Sequence, residues 1–423
     1  MKENKNIPHG YKDSPLGMIP MEWEVKKLGA VFSQLGNFSF SREQMTGDSQ
    51  KIRYIHYGDI HVSLEKDSID LRKDMLPFIF DGLITDEKLA NGDFPYLKNG
   101  DLILTDASED YDGVGKLWEI VNTDNQKIVS GLHTILLRCI TDEVALGFGR
   151  YLFKNPKSAI SLKRIAQGTK VYSISYNHIS KLDILLPPLP EQQKIAEILS
   201  VWDEAIEKQT RLIEKLETRK RGLMQQLLTG KKRVIGFDGE WKKSLLGDFF
   251  KERNETGFHH LTLLSVGQEG IYPQTDSKKR DISNDDKSKY KRICIDDIGY
   301  NTMRMWQGRS ALSRLEGIIS PAYTVITPNN QANALFFSYL FKAPKVIHQF
   351  WRNSQGLVDD TLNCKFKDFS IVKLPLPSLK EQTAIANILS AADTEIDLAK
   401  QKLARLKEQK KGLMLLLLTG KKR

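Results

Sequence analysis

The sequence predicts an α+β fold in which two globular domains of mixed α and β structure are separated by two long helices that pair as an antiparallel coiled coil. Two observations lead to this fold class. A segment in the middle of the chain recurs at its C-terminal end, and the recurring segment carries apolar residues at the spacing of a long helix. The 423 residues are enough for two to four domains at roughly 100 to 200 residues each.

The internal repeat predicts the domain organisation. Residues 191–233 match residues 381–423 at a constant offset of 190, with 21 identities in 43 ungapped positions. Unrelated segments of ordinary composition would match at roughly one position in twenty. The predicted order is an N-terminal segment (1–22), a first block (23–186), a first spacer-helix region (187–233), a linker (234–240), a second block (241–376) and a second spacer-helix region (377–423).

The two blocks have similar edges and dissimilar interiors. Trp23 and Trp241 begin the blocks, and each is followed by a Leu-Gly pair. The sequence Tyr-Leu-Phe-Lys occurs near the end of both blocks, at 151–154 and 339–342. Similar residues at the ends of the two blocks, with dissimilar residues between them, indicate that both blocks have the same fold and differ in their interior residues.

Each copy of the repeat is predicted to form one long helix. Residues 191–229 carry apolar side chains at a period of about 3.5 to 3.6 residues, and at 1.5 Å per residue they would span roughly 58 Å. A proline run ending at Pro190 marks the start, and Gly230 suits a left-handed cap at the end. If the two helices pack together, chain order makes them antiparallel and relates the domains by an approximate two-fold axis.

Composition narrows the possible functions. The net charge of +10 makes nucleic acid a candidate partner, but the excess is spread thinly, so a DNA site would be a local patch. Phosphate-binding loops, the Asn/Asp-Pro-Pro-aromatic motif of amino-methyltransferases and a nuclease carboxylate set are all missing, so no catalytic role is expected. The three cysteines and eight histidines show no metal-ligand spacing. Without a signal peptide or a bilayer-length apolar run, a cytoplasmic location is expected.

Clusters of cationic, aromatic and amide side chains suggest where DNA would be contacted. In the second block, Arg304, Trp306, Gln307 and Arg309 fall between two predicted strands, 295–300 and 317–326. Arginine and glutamine there could each bind a base edge through two hydrogen bonds. An exposed loop with a packed Trp306 explains the same pattern equally well.

The other candidates carry a weaker signal, and core or surface structure explains them more simply than base contact. In the first block they are Lys170, Tyr172, Tyr176, His178, Arg53 and Tyr54. In the second block Lys278, Lys279 and Arg280 are expected to contact phosphates or to form a solvated face.

At these motifs the chain resembles the specificity subunits of type I restriction-modification systems, over nearly all of residues 10–423. The motifs are Ile-Pro-x-x-Trp at 19–23, Pro-Leu-Pro-Glu-Gln at 188–192 and the ending Gly-Leu-Met-x-x-Leu-Leu-Thr-Gly-Lys-Lys-Arg at 222–233, together with the duplication of the whole plan. The resemblance does not fix which residues read bases, because the interiors of the blocks vary within the family.

The resemblance implies two target-recognition domains, each reading one half of a split duplex DNA site, with a spacer length set by the helices. It implies that methylation subunits, expected to be two, bind the helices and that restriction and translocation subunits join them. The assembled complex would be an adenine-N6 DNA methyltransferase and an ATP-dependent endonuclease. S-adenosylmethionine, ATP and Mg would belong to those partners, and this chain would hold no cofactor or metal and bind no membrane.

Apolar helix residues outside the helix-to-helix seam are candidates for partner docking, although ordinary core packing explains them as well. They are Ile213, Leu227, Leu403 and Leu417. The leading alternative function is a duplicated coiled-coil scaffold with weak or no DNA binding. An autonomous nuclease is disfavoured by the missing motifs.

Overall fold

The computed structural model describes residues 7–56, 58–59, 67–90, 94–111, 113–267, 270–276, 286–356 and 362–422. The chain forms two compact units, residues 1–208 with 403–423 and residues 209–402. Each unit contains one of the predicted blocks, the N-terminal part of the long helix that follows it and the C-terminal part of the other long helix. Each block packs against both helices.

The strands of the first unit are β1 (Tyr11–Lys12), β2 (Ile19–Pro20), β3 (Glu24–Lys27), β4 (Phe32–Leu35), β5 (Met45–Thr46), β6 (Ile52–Ile55), β7 (Ser68–Asp70), β8 (Phe78–Ile79), β9 (Leu102–Thr105), β10 (Ala107–Ser108), β11 (Leu117–Asn122), β12 (Ile128–Ser130), β13 (Thr134–Cys139), β14 (Tyr172–Ser173) and β15 (Asp183–Leu186). Its helices are α1 (Leu28–Val31), α2 (Asp86–Ala90), α3 (Pro156–Arg164), α4 (Tyr176–Ile179) and the first part of α5 (Leu189–Leu227). Arg42–Gln44 and Gly149–Tyr151 form 3₁₀ turns.

A five-stranded sheet in the order β4-β13-β9-β11-β7 forms the centre of the first unit, and only β7 and β11 pair in parallel. The central strand β9 is buried on both faces, because Leu102 and Leu104 enter one hydrophobic core and Ile103 enters another. The β1–β2 segment contributes Leu16 and Ile19 to the first of these cores. The predicted N-terminal segment is therefore an integral part of this unit.

The strands of the second unit are β16 (Lys242–Leu245), β17 (Phe250–Glu252), β18 (Leu264–Val266), β19 (Ile271–Pro273), β20 (Lys291–Ile293), β21 (Ile298–Asn301), β22 (Ser310–Leu312), β23 (Gly317–Ile319), β24 (Tyr323–Pro328) and β25 (Lys373–Leu376). Its helices are the last part of α5, α6 (Ala334–Leu340), α7 (Pro344–Asn353), α8 (Phe366–Ser370) and the first part of α9 (Leu379–Leu418). Leu246–Asp248, Gln274–Asp276 and Met305–Gln307 form 3₁₀ turns.

The central sheet of the second unit has the order β17-β24-β21-β22, which repeats the order β4-β13-β9-β11 of the first unit by position along the chain. The predicted strand at 295–300 is confirmed as β21, shifted by a few residues. The predicted single strand at 317–326 is wrong, since β23 and β24 are separated by residues 320–322. Pro321 lies in this break and has no N–H to donate to a sheet.

In each unit the entry and exit of the block are hydrogen-bonded to each other. Strand β3 pairs antiparallel with β15, and β16 pairs antiparallel with β25. The Leu-Gly pair that follows each entry strand crosses the chain at the exit, where a Cβ on Gly29 would lie 2.9 Å from Ser180 Cβ and one on Gly247 would lie 3.0 Å from Ser370 Cβ. This close approach explains why glycine occurs at both positions.

The long helices have the predicted ends to within two residues. Helix α5 begins at Leu189 rather than at 191, because Pro190 falls in the first turn, where no N–H is required. Gly230 and Gly420 have φ angles of 68° and 67°, which confirms the predicted left-handed caps. Within the described ranges, no helix is long and apolar enough to cross a membrane.

The repeated Trp and Glu-Gln residues fasten each block to the start of its helix. Trp23 Nε1 donates to Glu191 Oε2 at 3.0 Å, and Trp241 Nε1 donates to Glu381 Oε2 at 3.2 Å. The amide of Gln192 accepts from Ala145 N at 3.0 Å and donates to the carbonyls of residues 143 and 187. Gln382 makes the equivalent bonds to residues 333, 331 and 377.

A second duplicated contact, which we call the Tyr-Asp-Lys network, joins each block to both long helices. In the first unit Tyr151 Oη donates to Asp203 Oδ2 at 3.1 Å, and Lys410 pairs with Asp203 Oδ1. In the second unit Tyr339 Oη donates to Asp393 Oδ2 at 2.6 Å, and Lys220 pairs with Asp393 Oδ1. Burial raises the pKa of both tyrosines, which keeps their hydroxyls protonated as donors.

The contacts within each unit make the helices antiparallel. In the second unit Gln209 Nε2 donates to Ala399 O at 3.0 Å, and Lys220, further along α5, pairs with Asp393, further back in α9. In the first unit Lys410 pairs with Asp203, and the later residue Leu417 shares a core with the earlier residue Ile195. The predicted antiparallel pairing is confirmed at both places.

Candidate nucleic-acid interface

Three loops meet at one edge of the central sheet in the first unit. They are the hairpin loop between β9 and β11, described at residues 106–111 and 113–116, the turn 131–133 before β13 and the loop 167–173. Asp106 N donates to His133 O at 3.2 Å, and Ile174 N donates to Asp106 O at 2.8 Å. Gln167 and Ser173 exchange backbone hydrogen bonds of 2.9 and 2.8 Å, which close the third loop.

The second unit builds the same edge with the same backbone bonds. Its hairpin loop is 302–309 between β21 and β22, where Thr302 N donates to Ala322 O at 3.3 Å and Cys364 N donates to Thr302 O at 2.8 Å. Gln355 and Asn363 exchange backbone bonds of 2.9 and 2.8 Å, like Gln167 and Ser173. We call this arrangement the three-loop edge.

The exposed side chains of the two hairpin loops differ in chemistry. In the first unit the exposed residues of the hairpin loop include Glu109 and Asp110, which accept hydrogen bonds only. In the second unit Gln307 and Arg309 are exposed; a guanidinium can only donate hydrogen bonds, and an amide can both donate and accept them. One backbone frame therefore presents two different chemistries.

The structure places the four predicted residues of the second hairpin loop close together but in different roles. Met305 is fully buried and anchors the turn that contains them. Trp306 is half-buried and its Nε1 donates to Met303 O at 3.0 Å, so its indole N–H is engaged within the loop. Arg304 is half-buried and begins the turn, whereas Gln307 and Arg309 point to solvent.

The candidates near residue 170 separate into two groups. Exposed Lys170 and half-buried Tyr172 lie in the loop 167–173, and the Tyr172 ring packs edge-on against Tyr111 of the hairpin loop at 5.0 Å. Tyr176 lies beyond the edge in α4 and donates its hydroxyl to Phe32 O at 2.9 Å, so it serves the sheet. His178 is exposed on the same short helix and contacts Ser175 Oγ at 3.1 Å.

Arg53 and Tyr54 make contacts within their own unit. The Arg53 guanidinium stacks 4.1 Å from the Phe78 ring centroid and donates to Gln126 and to a backbone carbonyl. Tyr54 is 1% exposed, and burial raises its pKa. Its hydroxyl donates to Phe38 O at 3.0 Å and accepts from Phe40 N at 3.2 Å.

The predicted phosphate contacts Lys278, Lys279 and Arg280 lie outside the described residues. Nearby, Arg292 donates to Glu316 Oε1 at 2.6 Å and to Glu255 Oε2 at 2.9 Å. This arginine therefore joins strands and loops of its own unit.

Three of the candidate docking residues, for which core packing was the equal alternative, are buried inside the units. Ile213 is 7% exposed, Leu227 is 4% and Leu417 is 6%, and the last two pack in the cores of the second and first unit. Leu403 is half-buried. Large apolar side chains that are exposed on the long helices include Val201, Leu212 and Leu398.

Two residues on the edges were not singled out from the sequence. Leu132 and His133 form the tip of the turn 131–133 and are both exposed. The only sequence signal there is the preceding glycine, Gly131, which marks a turn without indicating what its neighbours do.

A metal centre was not expected from the sequence. Among the described residues, no three His, Cys, Asp or Glu side chains are grouped as metal ligands.

Comparisons with known proteins agree on one family. The family model described as type I restriction modification DNA specificity domain matches residues 20–218 and again 239–408. A Methanocaldococcus jannaschii protein assigned provisionally as the type I restriction enzyme MjaX specificity subunit is 28% identical, over 97% of this chain and 96% of its own length. The type I restriction enzyme MjaVIII specificity subunit of the same organism is 29% identical over 64% of this chain and 69% of its own.

Solved structures share the fold. The S subunit of a type I restriction-modification system from M. genitalium superposes with a TM-score of 0.55 at 17% identity, covering 99% of this chain and 98% of its own. A chain from a structural study of complex assembly and conformational transition in the type I R-M system gives a TM-score of 0.55 at 15% identity, covering 95% and 99%. The predicted fold class is thus confirmed. The two matches of the family model fall on the two copies of the repeated plan, and the chain belongs to the type I restriction modification DNA specificity family.

Proposed function

We propose that this chain supplies the DNA sequence specificity of a type I restriction-modification complex. In this proposal each unit binds one half of a bipartite duplex site through its three-loop edge, and an unread spacer lies between the halves. The chain itself performs no chemical step.

The observation that carries the proposal is the duplicated edge with unlike side chains. The backbone bonds that position the loops are the same in both units, whereas the exposed groups of the hairpin loop include two carboxylates in one unit and an arginine and an amide in the other. Base edges differ in their pattern of donors and acceptors. A constant frame with changed polar groups is what reading two different half-sites requires.

The partners in the proposal are duplex DNA, methylation subunits and restriction subunits. Val201, Leu212 and Leu398 expose 62%, 45% and 60% of their surface on the long helices, and we assign them to subunit docking in place of the buried residues predicted from the sequence. Methyl transfer from S-adenosylmethionine to adenine, and ATP- and Mg-dependent cleavage, would take place on those partner subunits.

The decisive experiment is long-read mapping of methylated adenine in DNA from cells that express the chain together with its methylation subunit. The matched controls express either protein alone. We expect a split motif that is methylated only when both are present.

Direct binding assays complete this test. Purified chain with its methylation subunit should bind a duplex carrying the motif in preference to a scrambled duplex, and log Kd should rise with log salt concentration. If no motif appears and binding is indifferent to sequence at every salt concentration, the proposal is wrong and a coiled-coil scaffold becomes the better account.

A further inference from the structure

We propose that His133 is a base-reading residue of the first half-site and that Asp106 positions it. The proposal rests on the DNA-binding role proposed above and extends it to one side chain. Three features of the turn 131–133 carry it: a backbone conformation that disfavours histidine, anchoring from every side, and an exposed imidazole beside a carboxylate.

The backbone of His133 has a φ angle of +62°. This left-handed region is costly for residues with a Cβ, and glycine is the default residue where a turn requires it. A side chain retained in this conformation at a surface turn points to a role for the side chain, since strained residues concentrate at functional sites.

The strain is held by contacts on both sides of the turn. Gly131 N donates to Ile55 O at 3.0 Å, and Asp106 N donates to His133 O at 3.2 Å. Beneath the turn, the buried hydroxyl of Tyr54 lies so close to Gly131 that a Cβ there would overlap it. The turn is therefore fixed by its surroundings, and Tyr54 contributes to the edge from below.

The imidazole of His133 is exposed, with 55% of its side chain accessible, and its Nδ1 lies 3.4 Å from Asp106 Oδ1. Burial raises the pKa of Asp106, and His133 opposes this shift. A carboxylate facing Nδ1 favours the tautomer with the proton on Nδ1. The neutral ring then offers Nε2 as an acceptor, which matches the exocyclic amino group of adenine or cytosine.

The second unit has no such residue at the matching position of its turn. Ala322, whose carbonyl accepts from Thr302 N as that of His133 accepts from Asp106 N, stands at that position just before β24, and it is not among the described residues with positive φ. The residue matching Asp106 is Thr302, which bonds to the neighbouring turn in the same way. The His-Asp pair therefore belongs to the first half-site alone.

The test compares His133→Gly and His133→Asn in the full chain with its methylation subunit. Glycine removes both the strain and the imidazole, whereas asparagine tolerates the left-handed region and removes only the imidazole. The matched control is Asn125→Gly, because Asn125 has a φ of 56° in an exposed turn away from the edge. Tm is measured by thermal denaturation, and selectivity is measured on duplexes with single base-pair changes in each half-site.

We expect His133→Gly to raise Tm by about 2 to 4 °C and to lower discrimination at one position of one half-site by on the order of 10-fold or more. His133→Asn should lower the same discrimination with little change in Tm. Asn125→Gly should leave the recognised sequence unchanged.

Three results would overturn the inference. They are an unchanged motif in both His133 variants, an equal loss of affinity for every sequence, or a His133→Gly protein no more stable than the parent. Loss of the motif in the parent protein itself would contradict the proposed function instead, so the two failures can be told apart.

Discussion

In the second hairpin loop some residues anchor the loop, and others are exposed where they can contact DNA. Met305 is buried in the core, and the Trp306 indole is bonded within the loop. Arg309 is exposed on the same loop, where its guanidinium can reach a guanine edge with two donors. Among the residues proposed from the sequence, Arg309 has the clearest position for reading a base.

We therefore predict that Arg309→Ala relaxes base preference at one position of the second half-site by about 1 to 3 kcal/mol. Competition binding with single base-pair variants of the site measures this loss. Arg314→Ala is the control, since Arg314 is exposed in the same unit and pairs with Asp296 at 3.4 Å. A uniform weakening on all sequences would instead make Arg309 a phosphate contact.

At the residue scale the sequence predicted the second edge better than the first. Arg304 to Arg309 concentrate cations, an aromatic ring and an amide within six residues, a pattern visible without coordinates. For Tyr54 the sequence left a structural role and a DNA contact open, because a tyrosine in a strand has the same pattern whether its hydroxyl faces solvent or, as here, two backbone groups. The backbone angle of His133 has no counterpart in the sequence.

Among the elements, the long helices depend on the Tyr-Asp-Lys network for their attachment to each block. Asp393 accepts from Tyr339 and pairs with Lys220, so one carboxylate joins three segments of the second unit. Charge-assisted bonds of this kind contribute about 1.5 to 3 kcal/mol where they are shielded from water. The Asp393 side chain is 35% exposed, which lowers the expected value.

We predict that Asp393→Asn and Asp203→Asn each lower the free energy of unfolding by about 1 kcal/mol, measured by urea denaturation. Glu395→Gln is the matched control on α9. Its ion pair with Arg219 is about half exposed on both sides, so its loss should cost no more than about 0.5 kcal/mol. Equal losses of unfolding free energy for all three substitutions would show that the Tyr-Asp-Lys network stabilises the protein no more than an exposed ion pair does.

The long helices could be predicted because a helical apolar period sustained over many residues, with proline and glycine signals at its ends, does not depend on neighbouring elements. The Pro190 and Gly230 signals located α5 to within two residues at each end. The break between β23 and β24 was missed because the apolar run 317–326 hides a turn whose only signal is Pro321. Short strands take their limits from neighbouring strands, which the local sequence does not specify.

The chain contains the arrangement of a block followed by a long helix twice, and the interiors of the two blocks differ. We predict that replacing residues 241–376 with the second block of another family member changes one half of the recognised site and leaves the other half and the spacer unchanged. Methylation mapping of the hybrid, expressed with the same methylation subunit, measures this directly. A change in both halves would disprove modular reading.

Chain order and the repeat predicted two blocks and two long helices. They did not predict which helix segments pack against each block. The sequence predicted two domains separated by two long helices, and the structure adds that each unit includes segments of both helices. The reason is physical: Leu227 and Leu417 fill gaps in the cores of the blocks, and a helical period alone cannot tell which surface covers an apolar residue.

The pairing of β3 with β15 and of β16 with β25 has a consequence for how new specificities arise. Both ends of an interior meet at one fixed pair of strands, so the distance that an interior must bridge does not depend on its length or content. A single recombination event with breakpoints in these strands would insert the interior of another block between an entry strand and an exit strand that already pair with each other. The recognised DNA sequence can then change in one genetic step, while the pairing of the entry and exit strands is kept.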